Sequence, residues 1–286
     1  MTSLAERAAL VALLRNRNAR RSWQDYAEVV EEAGTALAIL EDEQGLLAAE
    51  ALDAARAELE DWEARGMRLV TVLDPGYPDN LRAAHDRPPL IFIAGRLEPG
   101  DARSVAVVGA RQASHEKLRI ARAVSEHLVD HGYTVVSGLA AGIDTAGHRA
   151  ALARGGRTVA VIGTGLSRFY PPENGSLQGR IASDCAVISQ FWPEAPPSAR
   201  SFPMRNAVMS GMTLATVVVE ASHTSGARIQ ARLALAQGRT VFLVDALLEQ
   251  QWARELSQRP GTHVIRSSEE ITSVVERLTS SGALTA

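Results

Sequence analysis

Residues 104–114 read SVAVVGARQAS. A run of valine and alanine ends in a glycine, and the polar stretch behind it has the composition of a loop opening onto a helix. An unbroken apolar run of this length suits a strand covered on both faces, as in a parallel sheet. The phrase recurs downstream as YTVVSG (133–138), TVAVIG (158–163), CAVIS (185–189), ATVVVEA (215–221), TVFLV (240–244) and a shorter THVI (262–265). Segments with helical periodicity lie between, at 115–131, 143–154, 174–183, 204–212, 225–237 and 268–279. This alternation predicts an α/β fold: an extended Rossmann-type, doubly wound, mostly parallel sheet with right-handed crossovers. Such sheets bind ligands beyond the carboxyl ends of their strands, near the point where strand order reverses.

Upstream the period changes. Arg68–Leu73 (RLVTVL) stops at the turn cluster DPGYP, and Leu90–Ala94 (LIFIA) stops at Gly95. Both read as accessory strands at an edge of the main sheet. Residues 3–20 and 24–65 carry leucine, valine and alanine at helical spacing, and the second stretch is acidic. The chain therefore divides into a small acidic helical domain over 1–65 and an extended Rossmann domain over 66–286.

The 286 residues carry a formal charge of −3, which by itself argues against a polyanion partner. The average conceals a partition. Residues 1–102 hold 11 basic and 19 acidic side chains, whereas residues 103–239 hold 15 basic and 8 acidic ones. The basic stretch is also the glycine-rich one, where the ligand of an α/β sheet belongs. Lys117 is the single lysine, so anion recognition falls to guanidinium forks and lysine-nucleophile chemistry is nearly excluded. The lone cysteine, Cys185, rules out an internal disulfide and sits in an apolar run, as a core residue does. No apolar run is long enough for a bilayer, and the amino terminus is a poor secretory signal. The expectation is a soluble cytoplasmic protein without membrane contact.

Three strand ends share glycine-rich turns: Gly109 before Ala110 and Arg111; Ser137 before Gly138-Leu139-Ala140-Ala141-Gly142; and Gly163 before Thr164 and Gly165. Glycine lets the chain turn sharply and lets a ligand approach the N–H groups of the next helix. Three such turns along one sheet margin describe an anion-binding rim. Arg111 projects from the first of them, either to an anion or to a structural ion pair. Arg205 and Asn206 follow Phe202-Pro203 at a helix start, beside free backbone donors. Ser225, Gly226 and Arg228 open a further helix, and Ser225 serves as an N-cap or meets a phosphate. Phe169, Tyr170, Phe191, Trp192 and Phe202 lie near this rim as the available aromatic surfaces.

Specific enzyme signatures are missing. There is no GxxxxGK[ST] loop, and the first turn reads GARQAS where a dinucleotide site needs GxGxxG. Asp144 and His148, four apart on one helix, invite a general-base reading, but no nucleophile sits in a recognisable elbow, and a structural pair is the better reading. Glu220 ends a buried strand near the rim, as an arginine partner, a cap or an acid. His115, His127, His131 and His223 lack metal-ligand spacing. The sequence therefore predicts no metal, no cofactor and no enzyme.

At these motifs the sequence resembles the DprA/Smf family of DNA-processing proteins. The matching stretches are VAVVGARQAS (105–114), VVSGLAAGIDTAGHRAAL (135–152), TVAVIGTGL (158–166), YPPEN (170–174), FPMRN (202–206) and VVEASHTSGARIQARLALAQGR (218–239), preceded by DPGYPDNLR and PPLIFIAG (88–95). The resemblance implies an extended Rossmann fold, homodimers, single-stranded DNA binding and delivery of a RecA-type recombinase in recombination and natural transformation. It places DNA contact on Arg111, the Gly138–Gly142 loop, Arg205, Asn206, Ser225 and Gly226. There are departures. Ala207 stands where the family has a second arginine, and Gln190 where it has an acid. Ala227-Arg228-Ile229-Gln230 replaces a small-apolar-threonine run, with Arg228 as a candidate substitute contact. Asp245-Ala246 and LLEQQWARELSQRPG replace the family's proline-glycine and the segment after it, which makes this a divergent member.

Two other readings remain open on the residues. One is a nucleotide-binding Rossmann sensor or a phosphoribohydrolase-like enzyme, although the P-G-G-x-G-T stretch of those enzymes is absent. The other is a regulatory partner in a toxin or phage-defence module, with the acidic first 65 residues as its interaction surface.

Overall fold

The computed structural model describes residues 2–17, 21–223 and 225–282. Helices α1 (Leu4–Arg15), α2 (Trp23–Ala33), α3 (Ala36–Gln44) and α4 (Ala48–Ala64) lead into strand β1 (Met67–Thr71). The short α5 (Asp79–Arg82) and β2 (Leu90–Gly95) follow. The alternating region runs β3 (Ser104–Gly109), α6 (His115–Asp130), β4 (Thr134–Ser137), α7 (Ile143–Ala153), β5 (Thr158–Val161), α8 (Gly175–Asp184), β6 (Ala186–Ser189), α9 (Ser201–Met212), β7 (Ala215–Glu220), α10 (Gly226–Ala236) and β8 (Thr240–Val244). The chain then forms α11 (Gln251–Ser257), β9 (Thr262–Ile265) and α12 (Glu269–Ser280).

The strands make one nine-stranded sheet in the order β1-β2-β6-β5-β4-β3-β7-β8-β9. From β6 to β9 every neighbouring pair is parallel. The two upstream strands extend the sheet past β6 in antiparallel pairing, with Phe92 opposite Ser189. The α/β, mostly parallel expectation therefore holds, accessory edge included. Strand order reverses between β3 and β7: β4, β5 and β6 lie to one side, β8 and β9 to the other.

Apolar strands buried on both faces need a helical layer on each. One face packs Val105, Val107, Val217 and Phe242 under α6, α7 and α12, through Val124, Leu128, Ile143, Ile271 and Val275. The other face is covered by α8, α9, α10 and α11, and beyond β6 by α1 and α4. Trp62 of α4 meets Phe92 of β2 edge-on at 5.0 Å between ring centres, and Trp192 lies 5.8 Å from Trp62. Core side chains are thus continuous from Leu10 and Leu13 of α1 to Ile188 and Val218 of the sheet. Arg7 donates to Asp74, whose carboxylate also accepts from the N–H and hydroxyl of Thr71 at 2.9 Å each.

The stretch 24–65, read from its spacing as helical, is subdivided. It is three helices, because Gly34 (φ +67°) and Gly45 (φ +53°) adopt left-handed backbone and end α2 and α3. Glycine reaches that region without a Cβ penalty, so each break is local chemistry. The expected helix over 3–20 ends at Arg15, and its residues 18–20 lie outside the described residues. So do residues 1, 224 and 283–286 of the expected 1–65 and 66–286 units.

Candidate functional site

A cleft of about 730 Å³ opens at the carboxyl ends of β3 and β7, where strand order reverses. These are the ends that Gly109 and Glu220 pair across. Gly109, Arg111, Ala140, Arg205, Asn206, Ser225 and Gly226, all named from the sequence, line it. A smaller recess of about 60 Å³ beside it is lined by Gly138, Gly163, Tyr170 and Phe202 together with Arg111, Ala140 and Arg205.

The loop from Gly138 to Gly142 owes its shape to backbone that side chains resist. Leu139 has φ +54° and is buried, and Gly142 has φ +80° with its Cα against the carbonyls of Ala110 and Arg111. A Cβ at Gly142 would drive the β3 and β4 loops apart. The loop is held from both sides. Asp144, in the first turn of α7, accepts from the N–H groups of Gly138 at 3.1 Å and Ala140 at 3.4 Å. Asn174 donates to the Leu139 carbonyl and to the Thr145 hydroxyl, both at 2.8 Å. The asparagine of the YPPEN stretch is therefore the clasp of the glycine loop.

Arg205 and Asn206 are not where the sequence put them. Helix α9 starts at Ser201, so both residues sit in its second turn, away from the free N–H groups of the helix start. Arg205 is buried, with Nη1 donating to the Val161 carbonyl at 2.9 Å and its guanidinium pressed against Gly138. Burial lowers its pKa against the pull of Asp144. Burial likewise pushes the Asp144 carboxyl up, opposed by the Arg205 charge and the two loop N–H groups. The two buried charges offset each other at the cleft floor. Asn206 donates to the Gly226 carbonyl at 3.2 Å and so ties α9 to the start of α10.

Arg111 differs from Arg205 in being exposed. Its guanidinium lies 5.3 Å from the centre of the Phe202 ring, and it forms no ion pair among the described residues. Phe202 in turn fills the space at Gly163 and stacks 5.6 Å from Tyr170. Ser225 caps α10 through the Ala227 N–H at 3.2 Å, and Gly226 stands in open space.

Four expected residues line neither the cleft nor the recess, and one of them, Gly142, shapes the loop from behind against the Ala110 and Arg111 carbonyls. Ser137 is wholly buried and donates to the Val107 carbonyl at 2.7 Å. Gly165 is packed against the carbonyls of Trp192 and Pro193, and its N–H donates to Ala195. Arg228 turns to the far side of α10, where it donates to the His223 carbonyl at 3.1 Å and lines a separate depression with Trp252. It is no substitute for a missing cleft arginine. Among the aromatics, Trp192 belongs to the core under α1 and α4, while Phe169 and Tyr170 are exposed.

Asp144 and His148 do not form a catalytic pair. Asp144 serves the loop, and His148 is buried with Nδ1 at 2.7 Å from the Thr158 hydroxyl and its pKa depressed by burial to about 3. No cluster of three metal-ligating side chains occurs among the described residues, and no described helix is long and apolar enough to cross a membrane. Sequence reasoning missed Gln112, Gln230 and Gln250, which also line the cleft. Gln230 had a signal: it is a polar residue on the buried face of α10, one turn after Gly226.

The family described as DNA recombination-mediator protein A matches residues 68–279. Protein Smf of Synechocystis sp. is 38% identical over 64% of this chain and 47% of its own length, and the DNA processing protein DprA of Streptococcus pneumoniae is 41% identical over 61% of each. The chain thus spans about half to three-fifths of these relatives. Among solved structures, DNA processing protein A from Streptococcus pneumoniae is 30% identical with a TM-score of 0.68, covering 95% of this chain and 93% of that one. DNA processing protein A from Helicobacter pylori, described for its single-stranded DNA binding mode, shares the fold at 21% identity and TM-score 0.65, over 74% of this chain and 96% of that one. The matched span runs from β1 through α12 and takes in both walls of the cleft, the clasped glycine loop and the Phe202–Asn206 turn: the chain belongs to the DNA recombination-mediator protein A family.

Proposed function

We propose that the cleft holds the backbone of single-stranded DNA, and that the protein is a cytoplasmic recombination mediator that brings the strand to a RecA-type recombinase as a homodimer. The observation that carries this reading is Arg111, an exposed guanidinium without a carboxylate partner among the described residues, seated on Phe202 beside the α10 N-terminus. A guanidinium fork supplies charge-assisted bonds to a phosphate, and the helix N-terminus supplies aligned N–H donors. Arg205, Asp144 and Asn174 do not touch the ligand in this scheme. They hold the loop and the floor in place.

The ligand of the Helicobacter pylori relative, single-stranded DNA, supports the same assignment. No bond-making step is part of the proposal. Fluorescence anisotropy with labelled oligo-dT tests it. Arg111→Ala weakens binding by about tenfold or more, since a hydrogen bond to a charged group contributes about 1.5–3 kcal/mol. Undiminished affinity in that variant sinks the reading. Recombinase delivery is tested separately, by whether the protein shortens the lag of RecA filament growth on protein-coated single strands.

One observation favours a second reading. Glu220 lines the cleft with Oε2 unpaired among the described residues, as an acid facing a small nucleotide would be. A thermal-shift panel separates the two: mononucleotides that stabilise the protein more than oligonucleotides would favour the small ligand.

A further inference from the structure

We infer that the protein carries a second phosphate-binding station outside the cleft, formed by Arg228, Arg232 and Arg259, which grips the single strand as it leaves the α10 N-terminus. The inference rests on the cleft reading and extends its footprint.

A depression of about 150 Å³ is lined by Arg228, Arg232, Trp252, Glu255, Leu256 and Arg259. Three guanidinium groups face one carboxylate there. That carboxylate is already engaged, with Glu255 accepting from Gln251 at 2.8 Å. The guanidinium groups of Arg232 and Arg259 are exposed and have neither a hydrogen bond nor an ion pair among the described residues. Unpaired like charges gathered in one hollow repel each other, and a polyanion relieves that repulsion.

Arg228 is aimed and held. It rests 6.0 Å from the centre of the Trp252 ring and donates to the His223 carbonyl. Trp252 is buried and donates to Gln250 at 2.6 Å, so it supports the guanidinium and offers no face to a base. Arg228 and Arg232 are four apart on α10 and so stand on one face about 6 Å apart at their Cβ atoms. Two elements link the depression to the cleft. Ser225, Gly226 and Gln250 line the cleft, while Arg228 and Trp252, a few residues farther along, line the depression. A strand held at the start of α10 and continuing along that helix passes over the three arginines. They come from the two segments, 227–230 and 245–261, where the sequence departs from the DprA/Smf pattern, and from the helix between them.

The test compares oligo-dT of about six nucleotides, enough for the cleft, with one of about twenty, at a series of salt concentrations. The proteins are the full chain and its Arg228→Ala/Arg232→Ala/Arg259→Ala variant, with melting curves to verify folding. The variant is expected to bind the short strand like the parent. On the long strand its slope of log affinity against log salt should flatten by about 1.4–2.1, at about 0.7 per phosphate released. The corresponding triple lysine variant should keep most of the slope. An unchanged slope on the long strand overturns the station and leaves the patch to an acidic protein partner. Loss on both lengths in the triple alanine variant also overturns it, since the arginines would then belong to the cleft. Failure of the cleft reading looks different: the parent binds neither strand, or Arg111→Ala binds both as the parent does.

Discussion

At the scale of single residues, the site depends on Gly138 as much as on any charge. A Cβ there falls on the Arg205 guanidinium, which is buried and held by the Val161 carbonyl. Gly138→Ala should therefore cost about 1–3 kcal/mol of stability, as overpacking does. It should also weaken DNA binding, because the displaced loop carries Ala140 into the cleft. Urea denaturation gives the first number. A variant as stable as the parent would mean that Arg205 can move aside at no cost. His148 makes a second prediction. Its pKa is about 3 in the fold against an ordinary 6.5, so the folded state refuses a proton that the unfolded chain accepts. Between those values the unfolded state binds more protons, and stability falls as pH drops below about 6.5, by at most about 1.4 kcal/mol per unit. Above that range its contribution is flat. Stability measured at pH 7, 6 and 5 should show this slope in the parent and lose it in His148→Gln; equal slopes in both would refute the assignment.

At the scale of elements, the parallel strands were legible because a strand buried on both faces leaves no choice of residue. Ser104–Gly109, Thr240–Val244 and Thr262–Ile265 have the expected limits to the residue. The glycine loops were legible for a similar reason: Gly142 takes φ +80°, and at Gly109, Gly138, Gly163 and Gly165 neighbouring atoms occupy the place of a Cβ. What escaped was anything decided by tertiary contact. The FPMRN stretch read as a helix start at residue 204, yet Ser198 and Ser201 bond reciprocally and begin α9 three residues earlier. That shift turns Arg205 from the rim to the floor. Arg228 likewise read as a rim residue, yet its guanidinium donates to the His223 carbonyl and lies beside Trp252, outside the cleft lining. The α10 terminus itself was read as either a cap or a ligand, and Ser225 does cap it. Ser225→Ala should cost about 1 kcal/mol through the lost cap. Its DNA affinity should fall by less than that of Arg111→Ala, since the backbone N–H groups of the helix start remain. A loss equal to that of Arg111→Ala would make the hydroxyl itself a phosphate ligand.

At the scale of the whole molecule, the acidic helices of the first 65 residues and the sheet share one apolar interior. Trp23, Trp62 and Trp192 meet where α2 and α4 cover the end of the sheet, and Phe92 of β2 joins them. Arg15 of α1 lies over Trp192 at 4.0 Å and also reaches Glu58 of α4. Peeling these helices away would expose the fully buried Phe92 and the covered face of the outer strands β1 and β2. Apolar surface of that kind is costly to hydrate, at about 25 cal/mol per Å². We therefore expect the helices and the sheet to unfold as one unit. The measurement is direct, because three of the four tryptophans report on the junction while far-ultraviolet circular dichroism reports on every helix. In urea the two signals should share one midpoint and one slope, as a two-state transition requires. A fluorescence change that precedes the loss of ellipticity would instead make residues 1–65 an independent domain, free to detach from the sheet while the cleft stays intact.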